Sequence, residues 1–331
     1  MNRVSPRFVF AGACLVVAAA VAFGSVASQA APDRPGGTGS LVAVQAATLV
    51  CPGLAADASA SQATLLSAGS APPDSSPAAP AVTLDDGLRI DALGSPLSGA
   101  PLARAPSGTR VVRYLLPPGP ARTFVVRATG TLAQGLSGQF ITRTPSGPGR
   151  SLAAGQCAIP AGDFWFVGGG ATAGRVTTIL LTNVDSAPAT VDVTVFGAHG
   201  PVNAESGQGV LVPPPKQVAI PVDSLSPGES ATAIHAVARA GRFAASVFDT
   251  QAKGLLPGGA DWVPASAAPA TSVVVPAVAG DAGVARRLSL LVPGPDDAVV
   301  RVGVATADGV LVPNGFDALA LGAGQVVTVD L

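Results

Sequence analysis

The chain predicts an all-β protein, and three observations carry that prediction. Gly and Pro supply 40 and 31 of the 331 residues while charged residues make up only 12%, a composition suited to short strands and many turns. Apolar and polar residues alternate at period two, most plainly where Asp192 and Thr194 separate Val191, Val193 and Val195, as on a strand with one buried face. After residue 31 no run shows the apolar periodicity of an amphipathic helix.

One strand plan also occurs twice. Val176 to Leu181, a turn from Asn183 to Pro188, and Val191 to Val195 are echoed by Arg287 to Leu291, a turn from Pro293 to Asp297, and Val300 to Val304. Matching Leu180 with Leu290 gives an offset of 110 and matching Val191 with Val300 gives 109, so the two turns are expected to differ by one residue. Self-similarity of this kind predicts tandem modules. The expected fold is therefore a set of tandem immunoglobulin-like β-sandwich modules after an N-terminal apolar helix.

Residues 1–31 supply that helix: Arg3 and Arg7 precede an uncharged run of 20 residues, Phe8 to Ala27, and then Ser28-Gln29-Ala30. The pattern reads either as a signal peptide with a small-residue cleavage site or as a membrane anchor, since ~20 apolar residues span a bilayer. Both readings put the bulk of the chain outside the membrane, with the basic flank on the cytoplasmic side. Residues 32–40 form a Pro/Gly-rich linker.

Residues 41–165 are expected to form an N-terminal β region. Cys14 lies in the leader, which leaves Cys51 and Cys157 as a pair 106 residues apart, and an oxidising compartment would join them. Residues 171–250 carry the clearest module. Strands are expected at Val176 to Leu181, Val191 to Val195, Val210 to Val212, Val218 to Val222, Thr232 to Ala238 and Phe243 to Phe248, with a short one near Val202. That count and spacing suit an immunoglobulin-like sandwich. Gly168-Gly169-Gly170 lacks the Lys-Ser/Thr ending of a phosphate loop and reads as a flexible hinge between modules.

Residues 251–285 read as a linker containing Gly258-Gly259-Ala260-Asp261-Trp262, and 286–331 as an incomplete second module. The latter lacks counterparts of Thr232 to Ala238 and Phe243 to Phe248. Either the chain is a shorter version of a longer protein, or another segment completes the sheet by strand addition. A poorly covered apolar face is expected there.

Gly241-Arg242-Phe243-Ala244-Ala245-Ser246-Val247 and Pro257-Gly258-Gly259-Ala260-Asp261-Trp262-Val263-Pro264, with Cys51-Pro52-Gly53 and Leu180-Leu181-Thr182-Asn183, carry a resemblance. The chain resembles an uncharacterised family of secreted or membrane-anchored actinobacterial proteins, a domain of unknown function. The resemblance implies an extracytoplasmic location and a multi-module β architecture, and it brings no activity, cofactor or catalytic residue.

Charge and chemistry narrow the function classes. Without the leader, 17 basic residues face 20 acidic ones, and no Lys/Arg cluster suits nucleic acid. His199 sits in a Gly-flanked turn and His235 in a strand, and neither lies in a nucleophile motif. Metal-ligand spacing is absent, and no cofactor is implied. Asp85-Asp86 and Asp296-Asp297 read as turn carboxylates. Trp165 and Trp262 stand near module junctions, where each either plugs an interface or, with Asp261, meets a partner. The expectation is a non-enzymatic envelope protein that binds or scaffolds an envelope protein or glycan, touching the membrane only through its N-terminal segment. The rival is an extracytoplasmic hydrolase or glycan-modifying enzyme using Asp85, Asp86 and Asp261.

Overall fold

Period-two alternation sets the layers of this fold. A computed structural model of the chain describes residues 44–53, 61–67, 87–105, 111–116, 122–147, 149–254, 256–276, 286–306 and 308–330. The targeting segment 1–31, the linker 32–40, Asp85 and Asp86 lie outside the described residues. The described residues are all-β, interrupted only by short 3-10 turns at Gly130–Ala133, Glu205–Gly207 and Val222–Ser224. Among them no helix is long and apolar enough to cross a membrane.

The first eight strands are β1 (Ala46–Cys51), β2 (Ser61–Ser67), β3 (Gly87–Ala92), β4 (Ala103–Arg104), β5 (Val111–Leu116), β6 (Phe124–Thr129), β7 (Ser137–Thr144) and β8 (Ser151–Gln156). They form two antiparallel sheets, ordered β1-β6-β3-β4 and β5-β2-β7-β8. On β7, Gly138, Phe140, Thr142 and Thr144 point inward while Gln139, Ile141 and Arg143 are exposed. Leu49, Ile90, Phe124 and Val126 of the first sheet share one core with Leu66, Phe140 and Ala153 of the second. Each large side chain of this kind contributes about 1.5–3 kcal/mol on burial.

Cys51, at the end of β1, is disulfide-bonded to Cys157, just beyond β8, so the expected pair ties the two sheets together. Val50 and Ala158 exchange two backbone hydrogen bonds of 2.8 Å beside it. Asp91 on β3 is buried and paired with Arg89 at 2.6 Å and Arg127 at 3.0 Å. A carboxylate removed from water needs such partners.

The next ten strands are β9 (Asp163–Val167), β10 (Arg175–Thr182), β11 (Ala189–Gly197), β12 (Gly200–Val202), β13 (Val210–Val212), β14 (Gln217–Pro221), β15 (Ala233–Ala240), β16 (Ala244–Lys253), β17 (Leu256–Val263) and β18 (Ala265–Ser266). One sheet runs β14-β10-β16-β17; the other runs β12-β11-β15-β9-β18, with β13 also paired to β11. Val191, Val193 and Val195 are at most 1% exposed. They meet Ile179, Leu181 and Val247 of the facing sheet in a second core.

Three findings differ from the sequence reading. Leu256–Val263 is a strand paired to β16, not linker, because Trp262 and Val263 carry it onto the neighbouring sheets. Asp163–Val167 pairs with β15 and so joins the second pair of sheets rather than the N-terminal region. The glycine run between β9 and β10 is a pinned turn rather than a flexible hinge. Gly168 donates to Thr232 O, Thr232 donates back to Gly169 O, and Gly170 donates to Thr177 Oγ1. Gly169 has a φ of +97° and a Cβ there would stand 2.8 Å from Thr177, which is why only glycine fits.

The last six strands are β19 (Arg287–Leu291), β20 (Ala298–Val300), β21 (Val304–Thr306), β22 (Gly309–Leu311), β23 (Leu319–Leu321) and β24 (Val326–Asp330). They pair as three two-stranded ribbons, β19 with β24, β20 with β23 and β21 with β22. Among the described residues of this stretch, Leu321 and Val326 are the buried apolar side chains.

The ribbon registers coincide with registers of the preceding sheets at an offset of 109. Thr178–Pro221 maps onto Arg287–Asp330, and Thr182–Gln217 onto Leu291–Val326. Ala189–Val212 maps onto Ala298–Leu321, and Val195–Val202 onto Val304–Leu311. Leu290 therefore corresponds to Leu181, not Leu180, and the two turns have equal length.

Candidate functional site: aromatic junctions and an open strand edge

Trp262 is placed by β17, whose alternation turns it toward β7 and β8. It is 7% exposed. Its ring meets Phe140 edge-on at 5.1 Å between centroids and Phe248 at 4.9 Å. Gly155 on β8 makes room for it, since a Cβ there would lie 3.0 Å from the indole. The neighbouring Asp261 is exposed, and its Oδ1 accepts the Ala154 amide at 3.1 Å and that of Trp262 at 2.9 Å. Trp262 and Asp261 thus fasten β17 to β8, and the Trp262 ring is engaged inside the protein rather than offered on its surface.

A second fastening uses residues that carried the family resemblance. Gln217, the first residue of β14, donates from Nε2 to Gly53 O at 2.9 Å, and its Oε1 accepts the hydroxyls of Thr123 at 2.6 Å and Thr182 at 3.2 Å. Gly53 in turn donates to Thr123 Oγ1 at 3.0 Å. Beside it the fully buried Asn183 donates to Ala187 O and Val212 O and accepts the Asp185 amide. The Cys51-Pro52-Gly53 turn and the Leu180 to Asn183 strand end, distant in sequence, meet through Gln217. A lone glutamine in a Pro-rich stretch gave no signal of that role.

Trp165, at the middle of β9, stacks flat on His235 of β15, with centroids 3.8 Å apart and planes at 9°. It is tilted against Phe196 at 5.9 Å. Around it Phe196, Ala233 and Val326 form a third small core with Val167 and Leu291, so this ring sits where β9 and β15 meet β19 and β24. His235 Nε2 lies 3.3 Å from Asp163 Oδ1 without hydrogen-bond geometry. His199 is exposed in its turn. An open cleft of about 460 Å³ runs alongside, lined by Phe196, Pro201, Pro293, Pro295 and Ala323. Among the described residues no cluster of His, Cys, Asp and Glu could hold a metal ion.

The ribbons present a different surface. Val299, Val304, Val310 and Leu311 are 72%, 41%, 73% and 62% exposed. Val273, Val274 and Val275, which precede them in a stretch outside any described strand, are 63%, 83% and 63% exposed. Branched apolar residues with strand propensity here face solvent, and one long side of β20 and β21 carries no paired strand among the described residues.

Fold and surface together define the class: an all-β, disulfide-bonded protein of packed antiparallel sheets with aromatic residues at their junctions and, among the described residues, three two-stranded ribbons over 287–330. The chain belongs to the family of unknown function DUF5719, whose model matches residues 118–331. The match begins between β5 and β6 and takes in both aromatic junctions and all three ribbons. No curated protein matches the chain, and no solved structure does.

Proposed function

We propose that this protein is a non-enzymatic binding or scaffolding component that works outside the cytoplasmic membrane, exported by residues 1–31 and holding a protein or glycan of the cell envelope. The observation that carries this reading is the concentration of exposed branched residues on the ribbons, where only Leu321 and Val326 among the described apolar side chains are buried. Apolar surface left in water costs roughly 25 cal/mol per Å², so a face of this kind marks an interaction site. The Cys51–Cys157 disulfide fits an oxidising compartment. In this reading Trp262, Gln217 and Trp165 stiffen the joints that carry the binding face, and the charge balance of the mature chain disfavours nucleic acid as the partner.

The second pair of sheets is read as immunoglobulin-like, with its first and last strands exchanged. Here β9 lies beside β15 and β16 beside β10, whereas the immunoglobulin arrangement puts the first strand on the other sheet. The ribbons are read as part of a second copy of the same plan, which their common offset of 109 supports. Site-specific photo-cross-linking in intact cells tests the function. A photoreactive residue at Val310 is expected to give a discrete adduct, while one at Leu152, equally exposed at 71% on β8, is expected to give none. Adducts of equal pattern from both positions would remove the binding role.

A further inference from the structure

The charges of this chain are divided along its length, although they nearly cancel overall. Residues 87–160 hold eight arginines against a single acid, Asp91, whereas residues 163–331 hold eight basic residues against 14 acidic ones. In the sheet ordered β1-β6-β3-β4 three of those arginines fall in one row. Arg104 of β4 and Arg127 of β6 are both register partners of Arg89 on β3, one on each side, so the three side chains leave the same face of the sheet. Thr48 of β1 continues the row beyond Arg127. Like charges placed directly opposite one another in a sheet repel, and the one carboxylate among these three cations is engaged mainly by the middle one. Arg89 donates to Asp91 from Nε at 2.8 Å and from Nη2 at 2.6 Å, and to Leu97 O from Nη1 at 2.8 Å. Arg127 donates to Asp91 from Nη1 at 3.0 Å. Arg104 is exposed, and its side chain has no ion-pair or hydrogen-bond partner among the described residues.

We propose that Arg104 and Arg127, with Arg89 fixed between them, bind an anionic glycan of the cell envelope through its phosphate or carboxylate groups. This surface is separate from the ribbons; it adds to the binding role above and rests on the extracytoplasmic setting of that reading. The planar fork of a guanidinium makes two parallel hydrogen bonds to a pair of phosphate or carboxylate oxygens. Neighbouring strands lie about 4.8 Å apart, which puts Arg104 and Arg127 roughly 10 Å apart along the row. A polymer carrying anionic groups in succession engages both, whereas a single anion meets one at a time. Arg89 also donates to Gly99 O at 3.3 Å, so its bonds hold the centre of the row and the 93–102 loop beside it in place before any ligand arrives. On the side away from Asp91 the row is bordered by Ala46, Thr129 and Gly87, which supply none of the large aromatic anchors on which protein interfaces centre. Arg113 of β5 and Arg143 of β7, exposed on the other sheet, extend the positive field that draws in a polyanion.

The probes are a poly(glycerol phosphate) chain and polygalacturonate, titrated into the full chain with neutral dextran as the blank. Saturable binding is expected, and the stronger of the two polymers identifies phosphate or carboxylate as the group recognised. Affinity is expected to fall steeply between about 0.05 and 0.5 M salt. Arg104→Gln is expected to weaken binding roughly fivefold with the melting temperature unchanged. Arg150→Gln removes an equally exposed charge just before β8 and is expected to change binding by less than about twofold. Modification of the parent chain by an arginine reagent gives a second readout that no variant's folding can disturb: bound polymer is expected to shield Arg104 and leave Arg150 reactive. Absence of saturable binding overturns the proposal, and so does equal weakening by the two substitutions or equal shielding of the two arginines, which would mean attraction to net charge alone. Tighter binding of single-stranded DNA or polyglutamate also overturns it. Salt-sensitive self-association that Arg104→Gln weakens does the same, since acidic residues of a second copy would then be the occupant. Failure of both polymers to bind, alongside a discrete Val310 adduct in cells, defeats this site and leaves the role of the ribbons standing.

Discussion

The ring of Trp262 meets Phe140 edge-on with centroids 5.1 Å apart, although 122 residues separate them. One comes from β17 and the other from β7, so a single aromatic contact couples the central sheets to the N-terminal core. Trp262→Ala is expected to cost about 3–5 kcal/mol, the range for removing a buried Trp or Phe, read as a lower melting temperature and urea midpoint. Gly155→Val overfills the same space, because its Cβ would stand 2.7 Å from Phe140, and is expected to cost about 1–3 kcal/mol. Combining the two substitutions should cost less than their sum, since the cavity left by the indole accepts the new side chain.

The disulfide yields a second prediction. Cys51 is fully buried and Cys157 is 8% exposed, and the bridge closes a separation of 106 residues. Replacing both with Ser is expected to cost about 2–5 kcal/mol, with the loss appearing in denaturant unfolding of the oxidised protein and vanishing when both proteins are reduced. On non-reducing gels the parent chain should run faster than the double variant.

Much of the fold was legible where period two was strict. Val191, Val193 and Val195 face the core as their spacing predicts, and Val210 to Val212 forms a strand with the bounds expected. Strand β17 was not legible, because Pro257, Gly258 and Gly259 are turn residues and its pairing depends on β16 alone along that stretch. The glycine run is ambiguous in sequence for a related reason. Glycine signals conformational freedom in sequence, yet here close packing against Thr177 and Thr232 demands it. The site is less legible than the fold: a tryptophan stands out in a chain this poor in aromatics, whereas the role of Gln217 depends on Gly53, Thr123 and Thr182, which reach it from distant parts of the sequence.

Acid should remove a small increment of stability at the turn holding Asp185. Arg242 donates to its carboxylate at 2.7 and 2.9 Å, and these hydrogen bonds, only partly opposed by burial, hold the Asp185 carboxyl below its ordinary value. A carboxyl depressed in the folded state stabilises above the unfolded pKa of about 3.9 and loses that contribution as pH falls through the folded value. Both side chains are substantially exposed, so the increment is about 0.2–1 kcal/mol. Asp185→Asn is expected to be less stable than the parent by that amount at neutral pH. Below the ordinary carboxylate range the two melting curves should merge, and 1 M salt should narrow the gap at neutral pH.

Asp249 should matter more, because it is buried and serves two structural purposes. It accepts from Arg175 Nε at 3.0 Å and Nη2 at 2.9 Å, and the Thr177 hydroxyl lies 2.6 Å from its Oδ1. Arg175 also donates to Ser230 O, and Thr177 holds the Gly170 amide, so the carboxylate anchors both sides of the turn that joins β9 to β10. Asp249→Ala is expected to cost about 2–3 kcal/mol, between the values for exposed and fully buried pairs, because Arg175 is partly open to water. Asp249→Asn, which keeps an acceptor for Thr177 and Arg175 but not the charge, should recover part of that loss. Amide exchange at Gly170 separates this account from general destabilisation: it is expected to accelerate in Asp249→Ala well before global unfolding, while the Val50 and Ala158 amides beside the disulfide keep their protection. Equal acceleration at both places would show that Asp249 has no particular hold on the turn.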